Sequence, residues 1–109
     1  MVTRDEVPHD RRLSGSITVT VDRVRTNPKP LRDAELTVRD EDGAELTVII
    51  WETHEIDQSW DEGATYELTG ARGKRYSTRS GTRVEIQSTK AFRAQRVTTN
   101  NATRICVVG

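Results

Sequence analysis

The chain has 109 residues, of which 33% are hydrophobic and 31% charged, and its formal net charge at pH 7 is zero. This length suits one domain rather than two, and no apolar run reaches the roughly 18–20 residues that cross a bilayer. The N-terminus lacks the apolar stretch of a secretory signal, and the single cysteine, Cys106, can form neither an intramolecular disulfide nor a cysteine-rich zinc site. We therefore expect a cytoplasmic domain with no membrane association, metal or cofactor.

The charges are segregated along the chain. Residues 33–62 contain eleven acids and one base, whereas residues 63–97 contain eight bases and two acids. Fourteen of the seventeen bases are arginine, the side chain that pairs with phosphate through two hydrogen bonds and stacks on rings. The segregation predicts a basic surface on a neutral molecule. The alternative is that the basic residues form ordinary solvated strand faces.

The predicted elements begin after a polar segment, residues 1–12, which is typical of a mobile arm. Leu13–Val21 alternates between apolar and polar residues and is predicted to be the first strand. Val24 breaks that phase, and a bulge at Asp22–Arg23 would restore it and bend the strand. Two prolines in Arg25–Arg32 predict a loop.

A β-hairpin follows this loop. Leu36 and Val38 alternate with polar residues, and Asp40–Gly43 is a turn in which glycine supplies a positive φ. In the next strand, Leu46–Trp51, the residues Leu46, Val48 and Ile50 share one face, and Ile49 and Trp51 share the other. If the first face fills the core, Trp51 is directed away from it.

The second half of the chain predicts one helix and two more strands. Thr53–Asp61 is the helix, with Ile56 and Trp60 on one face and Gly63 beyond its end. Tyr66–Gly70 and Val84–Ser88 are the fourth and fifth strands, joined by a basic connection, Ala71–Gly81. Tyr66 is expected to be a core residue, and Trp60 to pack with Ile56 as a plug at the open end of the barrel. Phe92 and Val97 are expected to form a last apolar edge, and residues 98–109 a tail that pairs with an edge strand or hangs free.

Three strands, a short helix and two strands are the order of an oligonucleotide/oligosaccharide-binding (OB) fold. Five short strands close into a barrel if the first is bent and shared between the two halves of the sheet. We therefore predict an all-β, five-stranded Greek-key OB barrel over residues 13–97, with the helix between strands 3 and 4. An SH3-like barrel is the competing architecture.

Several short motifs resemble the single-stranded-DNA-binding domains of replication protein A and its archaeal relatives. They are Leu13-x-Gly15-x-Ile17, Leu36-x-Val38-x-Asp40-x-x-Gly43, a strand ending in Trp51, Gly63-x-x-Tyr66-x-Leu68, Gly70-Ala71-Arg72-Gly73-Lys74-Arg75-Tyr76, and Gly81-x-x-Val84-x-Ile86-x-Ser88. The resemblance covers roughly residues 13–92. It implies that Trp51 and Tyr76 stack on bases. The family's zinc-bearing type is excluded, because four zinc ligands are missing, and Glu52 and Glu55 after Trp51 would repel phosphate unless they turn away.

Basic side chains near these aromatic residues are the candidate phosphate contacts. Arg72, Lys74, Arg75 and Arg79 surround Tyr76, and Arg39 lies on the polar face of its strand. Lys29 and Arg32 are candidates by position in the first loop. For Arg39 the alternative is a salt bridge to Glu45 or another acid across the hairpin. For Trp51 the alternative is a core residue. For Tyr76 the alternative is an ordinary loop tyrosine.

These residues predict largely sequence-independent binding of single-stranded DNA in replication, repair or recombination. One OB domain covers only ~4–16 nucleotides, so other OB subunits or self-association are expected. A protein-interaction OB module, docking a basic partner on the acidic segment 33–62 or serving as a subunit of a larger complex like replication protein A, is the first alternative, and RNA binding is the second. Enzymatic activity is not expected, because neither His9 nor His54 lies in an acid–nucleophile arrangement.

Overall fold

The computed structural model describes residues 3–26, 30–56 and 58–97. Within these residues, the strands are β1 (Arg11–Arg12), β2 (Ile17–Thr26), β3 (Arg32–Arg39), β4 (Glu45–Trp51), β5 (Thr65–Thr69), β6 (Arg72–Thr78), β7 (Gly81–Gln87) and β8 (Arg93–Val97). Two three-residue 3₁₀ turns, Arg4–Glu6 and Glu52–His54, complete the regular structure of this part of the chain. No helix in the described ranges has the length and hydrophobicity of a membrane span.

The strands form one curled sheet in the order β1-β6-β7-β4-β3-β2-β5-β8. Neighbouring strands are antiparallel, except that β4 and β7 run parallel. β5 pairs with β2 while β6 pairs with β7, yet only Gly70 and Ala71 separate β5 from β6 in the chain. Gly70 has φ +68° and lies so close to the Ala91 carbonyl that a Cβ would clash with it. At this corner the chain crosses from the β2 side of the curled sheet to the β7 side. The all-β OB class predicted from the sequence is confirmed, with more strands than the five expected.

The bend in the first long strand lies where the sequence places it. The register between β2 and β3 shifts between Val21 and Arg23, which is the predicted bulge. The hairpin turn at Asp40–Gly43 also forms, with Gly43 at φ +82°. Asp40 holds this turn because its carboxylate accepts from the amides of Asp42 and Ala44, each at 2.9 Å.

The hydrophobic core lies inside the barrel. Alternate residues of the long strands fill it, including Ile17, Val19, Val21, Leu36, Val38, Leu46, Val48, Ile50, Tyr66, Leu68, Val84 and Ile86, all nearly inaccessible. Tyr66 is a core residue, as predicted, and its hydroxyl donates to the Ser59 carbonyl at 3.2 Å. Trp60 packs edge-on against Tyr66, with ring centroids 4.9 Å apart, and so lies against the core.

The helix predicted over Thr53–Asp61 is wrong for the residues described there. The 3₁₀ turn Glu52–His54 is followed by Glu55, which has the left-handed backbone conformation φ 50°, ψ 48°. The chain then continues without helical structure. Ile56 and Trp60 nevertheless pack on the core, so the apolar spacing marks two contacts rather than a helix.

The basic connection predicted over Ala71–Gly81 is also wrong, since most of it is strand β6. Its core-facing positions, Gly73 and Arg75, are not apolar because the N-terminal segment covers them. A Cβ on Gly73 would lie 2.3 Å from the Pro8 carbonyl oxygen. The Arg75 guanidinium donates to the carbonyls of Arg4 and Val7 at 3.2 and 3.0 Å.

Residues 3–12, interpreted from the sequence as a mobile arm, pack against the barrel in the structure. Val7 is 2% exposed and belongs to the core cluster. The Arg4 guanidinium donates to the carbonyls of Glu45 and Thr82, bridging the ends of β4 and β7. Residues 1–2, Lys29, Asp57 and the predicted tail 98–109 lie outside the described residues.

Candidate nucleic-acid interface

One row of side chains crosses the sheet on the surface opposite the core, which we call the outer face. The strand registers align its members from β2 to β6: Arg25, Glu35, Ile49, Gln87 and Arg72. Directly opposite residues in neighbouring strands project to the same side of a sheet. The row therefore places cations at its two ends, with a buried isoleucine and an amide near its centre.

Trp51 lies on this outer face at the end of β4, two residues beyond Ile49. Its indole is half-buried, and the guanidinium carbon of Arg32 lies 5.3 Å from the ring centroid. The indole Nε1 donates to the Gln87 side-chain oxygen at 3.4 Å. Trp51 is therefore directed away from the core residues Val48 and Ile50, as its position in the strand predicts, and neighbours on both sides orient its ring.

A buried hydroxyl fixes the backbone beneath the indole. The Trp51 amide donates to Ser88 Oγ at 2.9 Å, and His54 Nδ1 lies 2.8 Å from the same oxygen. Ser88 is only 4% exposed. This arrangement is not visible in the sequence, because the three residues meet only after β7 has paired with β4. Because the Ser88 hydroxyl is shielded from solvent, its hydrogen bond to the Trp51 amide suits a role in positioning Trp51.

Two carboxylates on the outer face are balanced by arginines. Glu35 pairs with Arg32 at 2.9 Å and with Arg25 at 3.5 Å. Glu85, which is 6% exposed, pairs with Arg83 at 3.0 Å. These carboxylates hold the guanidiniums in fixed places. Arg25, Arg83 and Gln87 are outer-face residues that sequence reasoning missed, although their alternation with core residues was a usable signal.

Tyr76 lies on β6 rather than in a loop, and it is 41% exposed. It faces Arg83 across the β6–β7 pair and contacts the His9 ring edge-on, with centroids 6.3 Å apart. When both positions are projected onto β7 through the strand registers, Tyr76 and Trp51 lie six residues apart, which is about 20 Å along the strands. The structure therefore places both aromatic side chains on the outer face, but at separate ends of it.

The residues predicted to contact phosphate differ in whether their side chains already have partners within the fold. Arg39 forms an ion pair at 2.8 Å with Asp22 on β2, rather than with an acid across the hairpin of β3 and β4. Arg75 lies on the core-facing side and holds the N-terminal segment, so it is not on the outer face. Arg79, at the β6–β7 turn, is exposed and forms no ion pair or hydrogen bond with any described residue.

Arg72 and Lys74 lie on the outer face and share one carboxylate, Asp10. Lys74 Nζ lies 2.7 Å and Arg72 Nε 3.8 Å from Asp10 Oδ1. The hydrogen bond and charge of Lys74, followed by the charge of Arg72, lower the pKa of Asp10 below its ordinary value of 3.8. Asp10 is therefore an anion at neutral pH, and the two cations are partly neutralised by it.

Four carboxylates of the acidic segment have partners within the fold. Glu35 pairs with two arginines, Asp61 pairs with Arg96 at 2.8 Å, and the Glu62 carboxylate accepts from the Val24 amide at 3.2 Å. Burial raises the pKa of Asp40, but the amides that donate to it, that of Arg4 first, outweigh this effect and lower the pKa overall. These four carboxylates therefore stabilise the barrel, whereas the other acidic side chains described in residues 33–62 form no ion pair or hydrogen bond with a described residue.

Comparison with known proteins gives one informative likeness. No protein-family model matches the sequence. No curated protein matches it either. Among solved structures, the chain is similar to the OB domain of a Methanosarcina mazei protein determined by solution NMR, with a TM-score of 0.69 and 17% identity over 85% of this chain and 78% of that chain. The likeness confirms the OB part of the resemblance stated above, while the relation to replication protein A stays a prediction. This protein has an OB fold.

Proposed function

We propose that this domain binds single-stranded nucleic acid, and DNA in particular, across its outer face without marked sequence preference. The observation that carries this proposal is the half-buried indole of Trp51, held at the outer face between the Arg32 guanidinium and the Gln87 amide. A fixed, partly exposed ring beside arginines suits an unpaired base, because every base has a π-face. The OB fold is compatible with nucleic-acid binding and also with protein binding.

Charge on the outer face supports the same proposal. Arg25, Arg32, Arg83, Arg72 and Lys74 outnumber the carboxylates of Glu35, Glu85 and Asp10 that pair with them. A locally positive surface at these residues attracts a phosphate backbone and makes the affinity dependent on salt.

We further propose a binding role rather than an enzymatic one, exercised on unpaired DNA in the cytoplasm during replication, repair or recombination. Binding by one domain is expected to be weak. Other OB subunits, or a second copy of this chain, would then extend the site.

Titration of a fluorescently labelled oligo(dT) of about 16 nucleotides, the upper limit for one OB fold, tests the proposal by anisotropy at low salt. Binding that an unlabelled single strand competes away, and that a duplex of equal length does not, supports it. Absence of binding at about 50 mM salt contradicts it. Competition between matched DNA and RNA strands then tests the DNA preference, because the 2′-hydroxyl distinguishes them.

A further inference from the structure

Two arginines face each other across the seam between β1 and β6. Arg12 and Arg72 are direct partners in the β1–β6 register. At the next pair, the Leu13 amide donates to the Ala71 carbonyl at 2.9 Å. Hydrogen-bonded and non-bonded pairs alternate in an antiparallel ladder, so Arg12 and Arg72 form a non-bonded pair, whose side chains lie closest together. Like charges in such a pair destabilise the sheet, and a neighbouring anion would offset their repulsion.

The seam cluster, Arg12, Arg72, Lys74 and Asp10, has too few anions of its own. Asp10 pairs with Lys74 and Arg72, whereas the Arg12 side chain forms no ion pair or hydrogen bond with any described residue. The cluster therefore has three cations and one carboxylate, which pairs with only two of them. Glu85 faces Lys74 in the register, but Arg83 lies 3.0 Å from its carboxylate. Arg72 and Asp10 are about half exposed, so a ligand can reach the cluster.

The seam cluster is also linked to the Trp51 indole through Gln87, although Arg72 lies two residues along the strands from the level of Trp51. Arg72 is the register partner of Gln87, and the Gln87 side chain accepts the indole hydrogen bond. From β4 to β1 there are three strand spacings, or about 14 Å. A polynucleotide that leaves the indole and crosses β7 and β6 would therefore reach the seam between β6 and β1.

We propose that the seam cluster is a phosphate-binding site for the backbone of the single strand that stacks on Trp51. Arg12, from the N-terminal segment, provides the unpaired guanidinium, and a phosphate between Arg12 and Arg72 relieves their repulsion. Asp10 competes with that phosphate for Arg72 and Lys74. This inference rests on the proposed function, and it extends the binding surface beyond the barrel onto residues 10–12.

The test uses the full chain and compares Arg12→Ala with Arg11→Ala in the oligo(dT) titration. Arg11 is the matched control, because it is the adjacent exposed arginine but faces Gly73, on the other side of the strand. Loss of one phosphate contact is expected to reduce the slope of log affinity against log salt by about 0.7 for Arg12→Ala, or about fivefold in affinity at 0.1 M salt. Arg11→Ala is expected to leave the slope unchanged. Asp10→Asn is expected to tighten binding, because it frees Lys74 and Arg72.

The outcomes separate this inference from the proposed function. If the wild-type chain binds no oligonucleotide, both are overturned. If the wild type binds and Trp51→Ala weakens it, but Arg12→Ala and Arg11→Ala have equal slopes, the proposed function stands and the seam site is wrong. Weaker binding by Asp10→Asn, in a variant whose thermal melt matches the wild type, would also overturn the seam site. A shallower slope confined to Arg12→Ala supports it.

Discussion

Replacement of Trp51 by alanine should weaken oligo(dT) binding without changing its salt dependence. Stacking of one base on an aromatic side chain contributes about 1–3 kcal/mol, which corresponds to about 5- to 150-fold in affinity. Arg32 already covers part of the indole, so a base can contact only the remaining surface. We therefore expect the lower part of this range, about 5- to 30-fold. The salt slope should stay constant because the substitution removes no charge.

The assay is anisotropy of labelled oligo(dT) across a salt series, with Trp51→Phe and Trp60→Phe alongside. Trp51→Phe retains an aromatic face and loses only the hydrogen bond to Gln87, so its affinity should lie within a few-fold of the wild type. Trp60→Phe removes the other indole, which packs on Tyr66 and Phe92. It should lower the thermal stability and leave the affinity unchanged.

Two results would refute this reasoning. The first is wild-type affinity in a Trp51→Ala variant that melts like the wild type, which would mean that no base stacks on this indole. The second is equal weakening by Trp51→Ala and Trp60→Phe, which would indicate a general loss of folded protein.

Two further predictions concern the fold. Gly70→Ala should lower the free energy of unfolding by about 2–4 kcal/mol, since it combines a left-handed backbone with a Cβ 2.1 Å from the Ala91 oxygen. Gly43→Ala, where φ is +82° but the surrounding space is open, should lower it by only about 1 kcal/mol. Similar urea midpoints for the two variants would contradict this prediction. Asp40→Asn should cost about 1–3 kcal/mol at pH 7, because the ionised carboxylate accepts three amides. Because the pKa of Asp40 is lower in the folded state, its contribution to stability is present above the unfolded value near 3.8 and is lost as the pH falls through the folded pKa. The difference in free energy of unfolding between wild type and variant, measured by urea titration, should therefore close over that pH range. A constant difference would show that ionisation of Asp40 does not contribute.

The sequence predicts those features of the barrel that depend on local alternation. The bulge between Val21 and Arg23 is visible because the apolar phase breaks at Val24, and the side of β4 that carries Trp51 follows from the two-residue period. Neither inference needs knowledge of a distant segment. Alternation was therefore sufficient to place the indole on the outer face.

Features that depend on distant segments were not predictable. β6 does not alternate because Gly73 and Arg75 are covered by residues 3–12 rather than by the core. The sequence likewise shows that Arg39 and Arg72 are cations, but the fold decides that they meet Asp22 and Asp10. Candidate phosphate contacts chosen by local charge density therefore mix free, paired and inward-facing side chains.

The quenching of Trp51 fluorescence by oligo(dT), measured against salt in the wild type and in Trp51→Phe, tests the central claim most directly. We expect saturable quenching in the wild type that weakens as salt rises. In Trp51→Phe, where Trp60 is the remaining reporter, quenching should be lost while anisotropy still detects binding. Binding by anisotropy with no change in wild-type fluorescence, or equal quenching in both proteins, would contradict a base-stacking site at Trp51.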